Sequence, residues 1–470
     1  MKTKKLLALG IPGACVEDAQ RLVGAALADG QTDAQVADAL RQIANAPGEY
    51  IHDLRWGTLA ARIETAREAY AFTPRAELAP YRIWSGDHDM EERAVAQMAA
   101  ACSLPVSVAG ALMPDAHVGY GLPIGGVLAT DNAVIPYAVG VDIACRMKLT
   151  VLDLPAETLD TMKDRLTAVL QRETRFGVGA THTDKQLHPV LDADWTVSPV
   201  TQRLKDKAWS QLGTSGSGNH FVEFGVLTVG DASAGLPTGR YLALLSHSGS
   251  RGTGAEVAGH YSKLARSLHP ELPSSLAELS WLGLDTEPGQ EYWAAMELMG
   301  QYAAANHAVI HRLVARALGV EVLLDIENHH NFAWRERHVL PDGTEREVIV
   351  HRKGATPAGE GVLGVIPGSM ATPGYVVRGK GSTASLMSAS HGAGRAMSRT
   401  QARNTLTWEQ AKAVLRDRQV TLISAGLDEV PMAYKDIDAV MAAQQDLVDV
   451  LARFDPRVVK MAPAGERPED

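Results

Sequence analysis

Residues 140–147 read GVDIACRM, which places an acid, Asp142, three positions before Cys145 in a chain with only three cysteines. A carboxylate draws harder ions such as Mn²⁺, and a thiolate draws Zn or Fe. Side by side they suit a mixed metal site in which the thiolate bridges two ions. The competing reading is a small apolar thiol packed in a core beside an unrelated acid. Histidine bears on the choice. Of 16 histidines, several stand in Gly/Ser/Asn-rich turns: His220 in GSGNHFVEFG with Asn219 and Glu223, His247 in LLSHSGSRGTG with Arg251, His329 and His330 in ENHHNF, and His391 in SASHGAGR with Arg395. Each alone reads as a structural, hydrogen-bonded histidine. Together they sit where backbone approaches a ligand closely, which packing does not require. Two ions about 3.5–4 Å apart suit attack on a phosphorus centre. His391, flanked by small residues, has room for a nucleotide and suits a nucleophile that forms a phosphoramidate. Its alternatives are a further metal ligand or plain packing.

Anion-binding elements cluster late in the chain. HRKGA supplies His351, Arg352 and Lys353; VIPGSM supplies a turn with Pro367, Gly368 and Ser369; VVRGKG supplies Arg378 and Lys380. Backbone N–H groups of such turns, with nearby Arg or Lys, can cradle phosphate, although each piece alone also reads as a solvated basic loop. There is no CxxC, HExxH or GxxxxGK[ST], so zinc-ribbon, zincin and P-loop chemistries fail. GYGLPIGG at 119–126 is glycine-rich without matching a dinucleotide fingerprint, and it also fits a tight strand–turn–strand.

The elements that must hold these residues are mixed. Residues 16–72 read as helical: Thr32 and Gln35 form a capping box, Val36, Leu40 and Ile43 share one face, and Asn45-Ala46-Pro47 ends that helix. His52 in this stretch reads as surface or packing. The segment is expected to be an accessory helical domain over 1–79, with a catalytic domain over 80–470 opening at Pro80-Tyr81-Arg82-Ile83-Trp84. Helices are expected at about 89–102, 156–172 (Leu159, Met162, Leu166 and Leu170 on one face), 289–318 and 436–454 (Ile437, Val440, Met441, Leu447, Val450, Leu451). Strands are expected at about 241–246, delivering His247, and 320–326, delivering ENHHNF. Without a regular βαβ alternation or internal repeat, the pattern favours α+β.

Bulk composition narrows the rest. The net charge of −10 repels nucleic acid overall, so any RNA partner must meet a local basic groove or bound metal. The opening MKTKKLLALGIPGAC is broken by Gly10, Pro12 and Gly13, which argues against an export signal. No run of about 18 apolar residues is present, so no membrane partner is expected. Cys15, Cys102 and Cys145 are odd in number and far apart, which predicts a reducing, cytoplasmic setting without a disulfide framework.

Taken in order, MPDAHVGYGLPIGG, AVGVDIACRM, GTSGSGNHFVEFG, SHSGSRG, HHNFAW, HRKGAT, PGSM and HGAGRAMSR resemble the blocks of the RtcB RNA ligases, over about residues 80–435. The resemblance implies an α+β fold with central mixed or antiparallel sheets flanked by helices. It implies GTP and two Mn²⁺ ions as cofactors. Asp142, Cys145 and His220 look like the ligands of one ion; Cys145, His247 and His330, rather than His329, look like those of the other. His391 looks like the residue that takes up GMP. Asn219, His220, Phe221, Val222 and Glu223 resemble nucleotide-binding positions, as do His330 and Asn331, the turn Pro367, Gly368, Ser369 and Met370, Gly374, and His391, Gly392, Ala393 and Gly394. Arg251, Arg352 and Lys353 resemble phosphate or RNA contacts.

The implied reaction joins an RNA 2′,3′-cyclic phosphate or 3′-phosphate end to a 5′-hydroxyl end through a histidine–GMP intermediate. Its partners would be tRNA halves in splicing or cleaved RNA in repair. Alternatives are an enzyme that caps 3′-phosphates or opens cyclic phosphates without sealing, and a weakly active paralogue that binds RNA ends. The chain departs from the pattern in four places. It ends PAGERPED, with Arg467 but no terminal lysine near the base, and Lys460 lies upstream; Ala144 and Arg146 flank Cys145 where glycines are expected; Gly374 stands where some members have serine. The oligomeric state stays open, a monomer included.

Overall fold

Helices Thr3–Ala8, Val16–Ala28, Asp33–Asn45 and Gly57–Ala69 open the chain in a computed structural model that describes residues 1–69, 74–85, 90–230, 235–340 and 342–466. Both bonds of the capping box are present: Thr32 Oγ1 accepts from Gln35 N at 3.3 Å, and Gln35 Oε1 accepts from Thr32 N at 2.9 Å. The helix so started turns Val36, Leu40 and Ile43 inward against Leu6, Val23, Leu59 and Ile63, a cluster distinct from the other cores. His52 is exposed. The expected helical residues 70–72, position 89 and Arg467 lie outside the described residues.

Two sheets follow. In the smaller one, Tyr81–Ile83 runs parallel to Ser107–His117, which is followed by Ile124–Thr130, Glu345–Lys353 and Asn331–Val339, all antiparallel. The larger one runs Leu363–Ile366, Gly374–Gly379, Val448–Met461, Phe221–Val229, Gly239–Ser248, Arg146–Pro155 and Val322–His329, with Thr421–Ser424 parallel to Val448–Met461. Its two outer strands meet: Asn328 Oδ1 accepts from Val365 N at 2.8 Å, so the sheet curls and covers its own edges. Met147, Leu149, Leu245, Ile326, Val365 and Phe454 pack together as one core cluster of this sheet. Helices Lys163–Glu173 and Glu287–Leu318 cover another face through Leu166, Leu170, Ile310 and Val314 against Val222, Phe224 and Leu244. The α+β architecture with sheets flanked by helices is the expected one.

Two helical expectations are corrected. Residues 436–454 form only a short helix, Ile437–Ala442, before the 14-residue strand Val448–Met461. The apolar spacing of LVDVLARF satisfies a strand as well as a helix, and pairing with both Phe221–Val229 and Gly374–Gly379 selects the strand. The helix expected at 156–172 breaks at Met162, whose ψ of 22° lies outside the helical range, giving Thr158–Thr161 and Lys163–Glu173.

The register sets the site. Phe221 pairs with both Met461 and His247, Met147 pairs with His247, and Arg146 pairs with His329. The row Met461, Phe221, His247 and Met147 therefore ends at Asn328, and His329 stands in the next row, opposite Arg146. His330 is the single residue between the last strand of that sheet and Asn331–Val339 of the other. The candidate residues gather where the two sheets join.

Candidate metal and nucleotide site

The turn GVDIAC is built to present Asp142 and Cys145 together. Cys145 N donates to Asp142 O at 3.2 Å, Ala144 N donates to Asn331 O at 2.7 Å, and His330 N donates to Cys145 O at 3.0 Å. Gly249 must lack a side chain, because a Cβ there would lie 2.1 Å from Asp142 Oδ2. Ala144 takes a left-handed φ of 57° with its methyl in the core, and Arg146 reaches away toward Glu327 and Gly300 O.

Two donor sets share that sulfur. Asp142, Cys145 and His220 form one, and Cys145, His247 and His330 the other, with the ligand atoms of each set within 4.8 Å of one another. Cys145 Sγ lies 3.5 Å from His220 Nε2 and 3.0 Å from His247 Nε2; His220 Nε2 lies 3.1 Å from Asp142 Oδ2. The outer ring nitrogens fix the tautomers: His220 Nδ1–H donates to Ser215 O at 2.6 Å and His247 Nδ1–H to Asn219 O at 3.1 Å. Both Nε2 atoms therefore face inward. His247 Nε2 and His330 Nε2 face each other at 3.1 Å, while the buried His330 Nδ1 has no partner among the described residues.

Charge states suit cation binding. Burial keeps His247 neutral down to about 3 and holds His330 well below its usual value. Burial works to raise the Asp142 carboxyl, but the hydrogen bond and charge of His220 outweigh it and hold it below the carboxylate range. Imidazoles, a carboxylate and a thiol facing one centre are a donor set that fits divalent ions. His329 stands apart, stacked against Phe332 and Trp334 with ring centroids 5.0 Å away in each case.

His391 stands against this centre, its ring centroid 5.0 Å from that of His330. Asp115 Oδ2 accepts from His391 Nδ1 at 2.6 Å, His391 N at 3.1 Å and Gly392 N at 3.3 Å. This leaves Nε2 as the free lone pair of His391. Lys435 Nζ donates to the carbonyls on either side of Asp115, Pro114 O at 3.2 Å and Ala116 O at 2.6 Å. Burial would raise the Asp115 carboxyl, yet the charge and hydrogen bond of His391 hold it low. Asp115 is the functional residue the sequence reading missed. Its one signal was an acid and a histidine together in MPDAH.

Around His391 the turns interlock. Ala393 N donates to Pro367 O at 3.0 Å; Ser369 N and Oγ meet Thr372 Oγ1 at 2.6 and 2.9 Å. Gly368, Met370 and Gly374 belong to the same turn and the start of the next strand. Asn331 ties the halves together, donating to Asp142 O at 3.3 Å and accepting from Gly354 N at 2.8 Å. Glu223 is buried without a hydrogen-bond partner among the described residues, and burial raises its carboxyl well above the usual range. Phe221 packs on the His247 ring, whereas Val222 turns to the opposite, core face.

The cationic candidates divide. Arg251 begins helix Arg251–Leu268 at φ 60°, its Nε donating to Thr214 Oγ1 at 3.1 Å. Burial lowers Lys353 to about 7, and its Nζ donates to Tyr120 O. Arg352 is directed into the protein: it grips Glu336 through two bonds of 2.7 and 3.0 Å, donates to Ser388 Oγ and Leu386 O, and lies over the Trp334 ring. His351 also serves the scaffold, accepting from Ile135 N and donating to Leu128 O. Arg395 reaches Asp428 O and Glu429, and Lys380 reaches Gln445 O and Asp449. Arg378 lies in Gly374–Gly379, paired with Leu363 and Asp449. Lys460 caps a helix end, donating to Leu170 O, Gln171 O and Thr174 O. No helix among the described residues is long and apolar enough to cross a membrane.

Known proteins are similar to this chain over most of its length. A family profile described as tRNA-splicing ligase RtcB matches residues 97–198 and 192–461. The chain is 33% identical over 407 residues to RNA-splicing ligase RtcB of Escherichia coli (strain K12), covering 80% of this chain and 95% of that protein. It is 33% identical over 459 residues to tRNA-splicing ligase RtcB of Nanoarchaeum equitans, covering 81% and 94%, and 31% identical over 454 residues to that of Thermococcus kodakarensis, covering 80% and 93%. The matches run through both sheets and through the strands and turns that carry Cys145 and its three histidine neighbours, and on that extent this chain belongs to the RtcB family.

Proposed function

We propose that this chain is an RNA ligase that joins RNA 2′,3′-cyclic phosphate or 3′-phosphate ends to 5′-hydroxyl ends, using GTP and two Mn²⁺ ions, in tRNA splicing or RNA repair. The observation that carries the reading is the placement of His391, oriented by Asp115, against two donor sets that share Cys145. Asp142, Cys145 and His220 would hold one ion, and Cys145, His247 and His330 the other. When bound, Mn²⁺ supplies Lewis-acid neutralisation of phosphoryl charge and activates water for opening a cyclic ester.

His391 Nε2 attacks the α-phosphorus of GTP, and the bond to pyrophosphate breaks. The ring becomes cationic as the N–P bond forms, and the Asp115 carboxylate on Nδ1 stabilises that charge. GMP then passes to an RNA 3′-phosphate oxygen and frees Nε2. The 5′-hydroxyl oxygen attacks the activated phosphorus and GMP leaves. Asn219, Ser369 and the turn His391–Gly394 line the nucleotide's place, and the Glu223 carboxyl, raised by burial, faces the base. Lys353 and Arg251 are the phosphate contacts this reading favours. Residues 1–79, with their own core, form an appendage to a catalytic domain over 80–470.

Incubation with α-labelled GTP and Mn²⁺, followed by denaturing electrophoresis, tests the central step. Wild type should carry label and His391→Ala should not. Label from ATP as well as GTP would mean that, with Lys460 committed to a helix end, the base is not selected. Label persisting on His391→Ala would move the nucleophile elsewhere, and no label from either nucleotide with metal bound would remove the mechanism.

A further inference from the structure

The hairpin loop between Ser107–His117 and Ile124–Thr130 follows the strand that carries Asp115, the partner of His391. It is fixed from several directions. Gln97 grips Gly119 twice, accepting from its N at 3.0 Å and donating to its O at 2.6 Å. Glu91 Oε2 accepts from Val118 N at 3.3 Å, and Lys353 Nζ donates to Tyr120 O. Gly121, at φ 68°, lies so close to Glu278 that a Cβ would stand 3.0 Å from its carbonyl oxygen, and Leu122 is buried with Leu276, Leu279 and Trp281. One residue of the loop is exposed. Tyr120 is 66% exposed, and among the described residues its ring and hydroxyl meet no aromatic, cationic or hydrogen-bonding partner.

Tyr120 is tied to the neighbourhood of His391 through its backbone carbonyl. Lys353, which holds its carbonyl, is followed by Gly354, where a Cβ would lie 3.2 Å from His391 Cε1 and 2.3 Å from Ile124 Cγ2. A flat aromatic face left in water costs free energy, and a loop anchored this firmly cannot fold it away. RNA ends arrive as unpaired nucleotides whose bases stack on such faces with little regard for sequence.

Resting on the ligase reading above, we propose that Tyr120 is a stacking platform for the unpaired base at an RNA end, holding that end beside His391. The platform recognises a nucleobase of either joining strand; the phosphate is left to Lys353 and the metal-facing side chains.

The test is direct binding, read without nucleotide. Single-stranded RNAs carry 2-aminopurine at a 3′-phosphate end or at a 5′-hydroxyl end, and each has a matched partner abasic at that position. Wild type should quench the fluorophore of one strand, and Tyr120→Ala should lose the quench and bind that strand about tenfold more weakly. Tyr120→Phe and Tyr120→Trp should retain both, and the abasic strand should bind wild type and Tyr120→Ala alike. Whichever strand shows the effect is the one the platform holds. Equal binding of both base-bearing strands by wild type and Tyr120→Ala would overturn the proposal. So would an equal loss for abasic RNA, which would mark a fold or backbone effect. Guanylylation of wild type in the same preparation, read without RNA, tests the ligase reading separately.

Discussion

Asp115 Oδ2 and His391 Nδ1 lie 2.6 Å apart, and the same oxygen also accepts the backbone N–H groups of His391 and Gly392. The carboxylate thus fixes both the tautomer and the position of the ring. Asp115→Asn can turn an N–H toward Nδ1 and favour the tautomer with its proton on Nε2, where the nucleophilic lone pair should be. The rate of covalent labelling from GTP should fall on the order of 10²–10⁴-fold. Metal content should be unchanged, and raising the pH should not restore the rate. A labelling rate within a few-fold of wild type would show that Asp115 only packs.

Cys145 is the one residue common to both donor sets, so its removal and the removal of an unshared ligand should differ in count. Cys145→Ala should lose both ions, whereas Asp142→Ala and His330→Ala should each retain one. Metal per chain after equilibration with Mn²⁺ and removal of excess checks this. Full occupancy in Cys145→Ala would rule out the shared thiolate, and equal loss in all three variants would mean that one ion cannot bind without the other.

Much of this centre was legible because its chemistry resides in rare side-chain types. Cys145 and the histidines at 220, 247, 330 and 391 stand out in glycine-rich turns, and the Thr32/Gln35 cap announces its helix locally. Asp115 was not legible: it is an ordinary acid inside a strand, and its partner lies 276 positions away. Arg352 misled for the opposite reason. Beside Lys353 in HRKGA it reads as an anion-binding pair, but alternation along the strand sends successive side chains to opposite faces, and Arg352 turns to Glu336 and Trp334. Strand Val448–Met461 was hidden because its partners are supplied by distant segments, and nothing local distinguishes two periods that both fit.

The pair of buried Arg352 and half-buried Glu336 should therefore matter for stability. Burial would raise the Glu336 carboxyl, but the hydrogen bond from His338 and the Arg352 charge outweigh it and bring it down to about 2. A carboxylate lowered on folding adds stability that is fully present above about 4.5 and is lost as pH falls through about 2. The shift corresponds to about 3 kcal/mol, in line with the cost of breaking a buried pair. Glu336→Gln should lower unfolding free energy by about that much at pH 7 in denaturant titrations, and the difference from wild type should shrink as the pH falls from 4.5 toward 2. A difference that stays constant over that window would mean that packing, not charge, holds Arg352.

Gly394 links stability to chemistry. It sits at φ 70°, and a Cβ there would lie 2.1 Å from Asp115 O. Gly394→Ala must pay for a left-handed backbone, about 1–2 kcal/mol, and for a backbone clash of about 1–3 kcal/mol. The shift that relieves the clash moves the strand carrying Asp115 away from the turn carrying His391. Gly394→Ala should therefore lose about 2–5 kcal/mol of stability and, in its folded fraction, label from GTP far more slowly while keeping its metal. Gly361→Ala is the control: it has a similar φ of 77° but open space around its Cβ, so it should show the backbone cost without the loss of labelling. Equal labelling by the two variants would mean that the Asp115–His391 contact survives the clash.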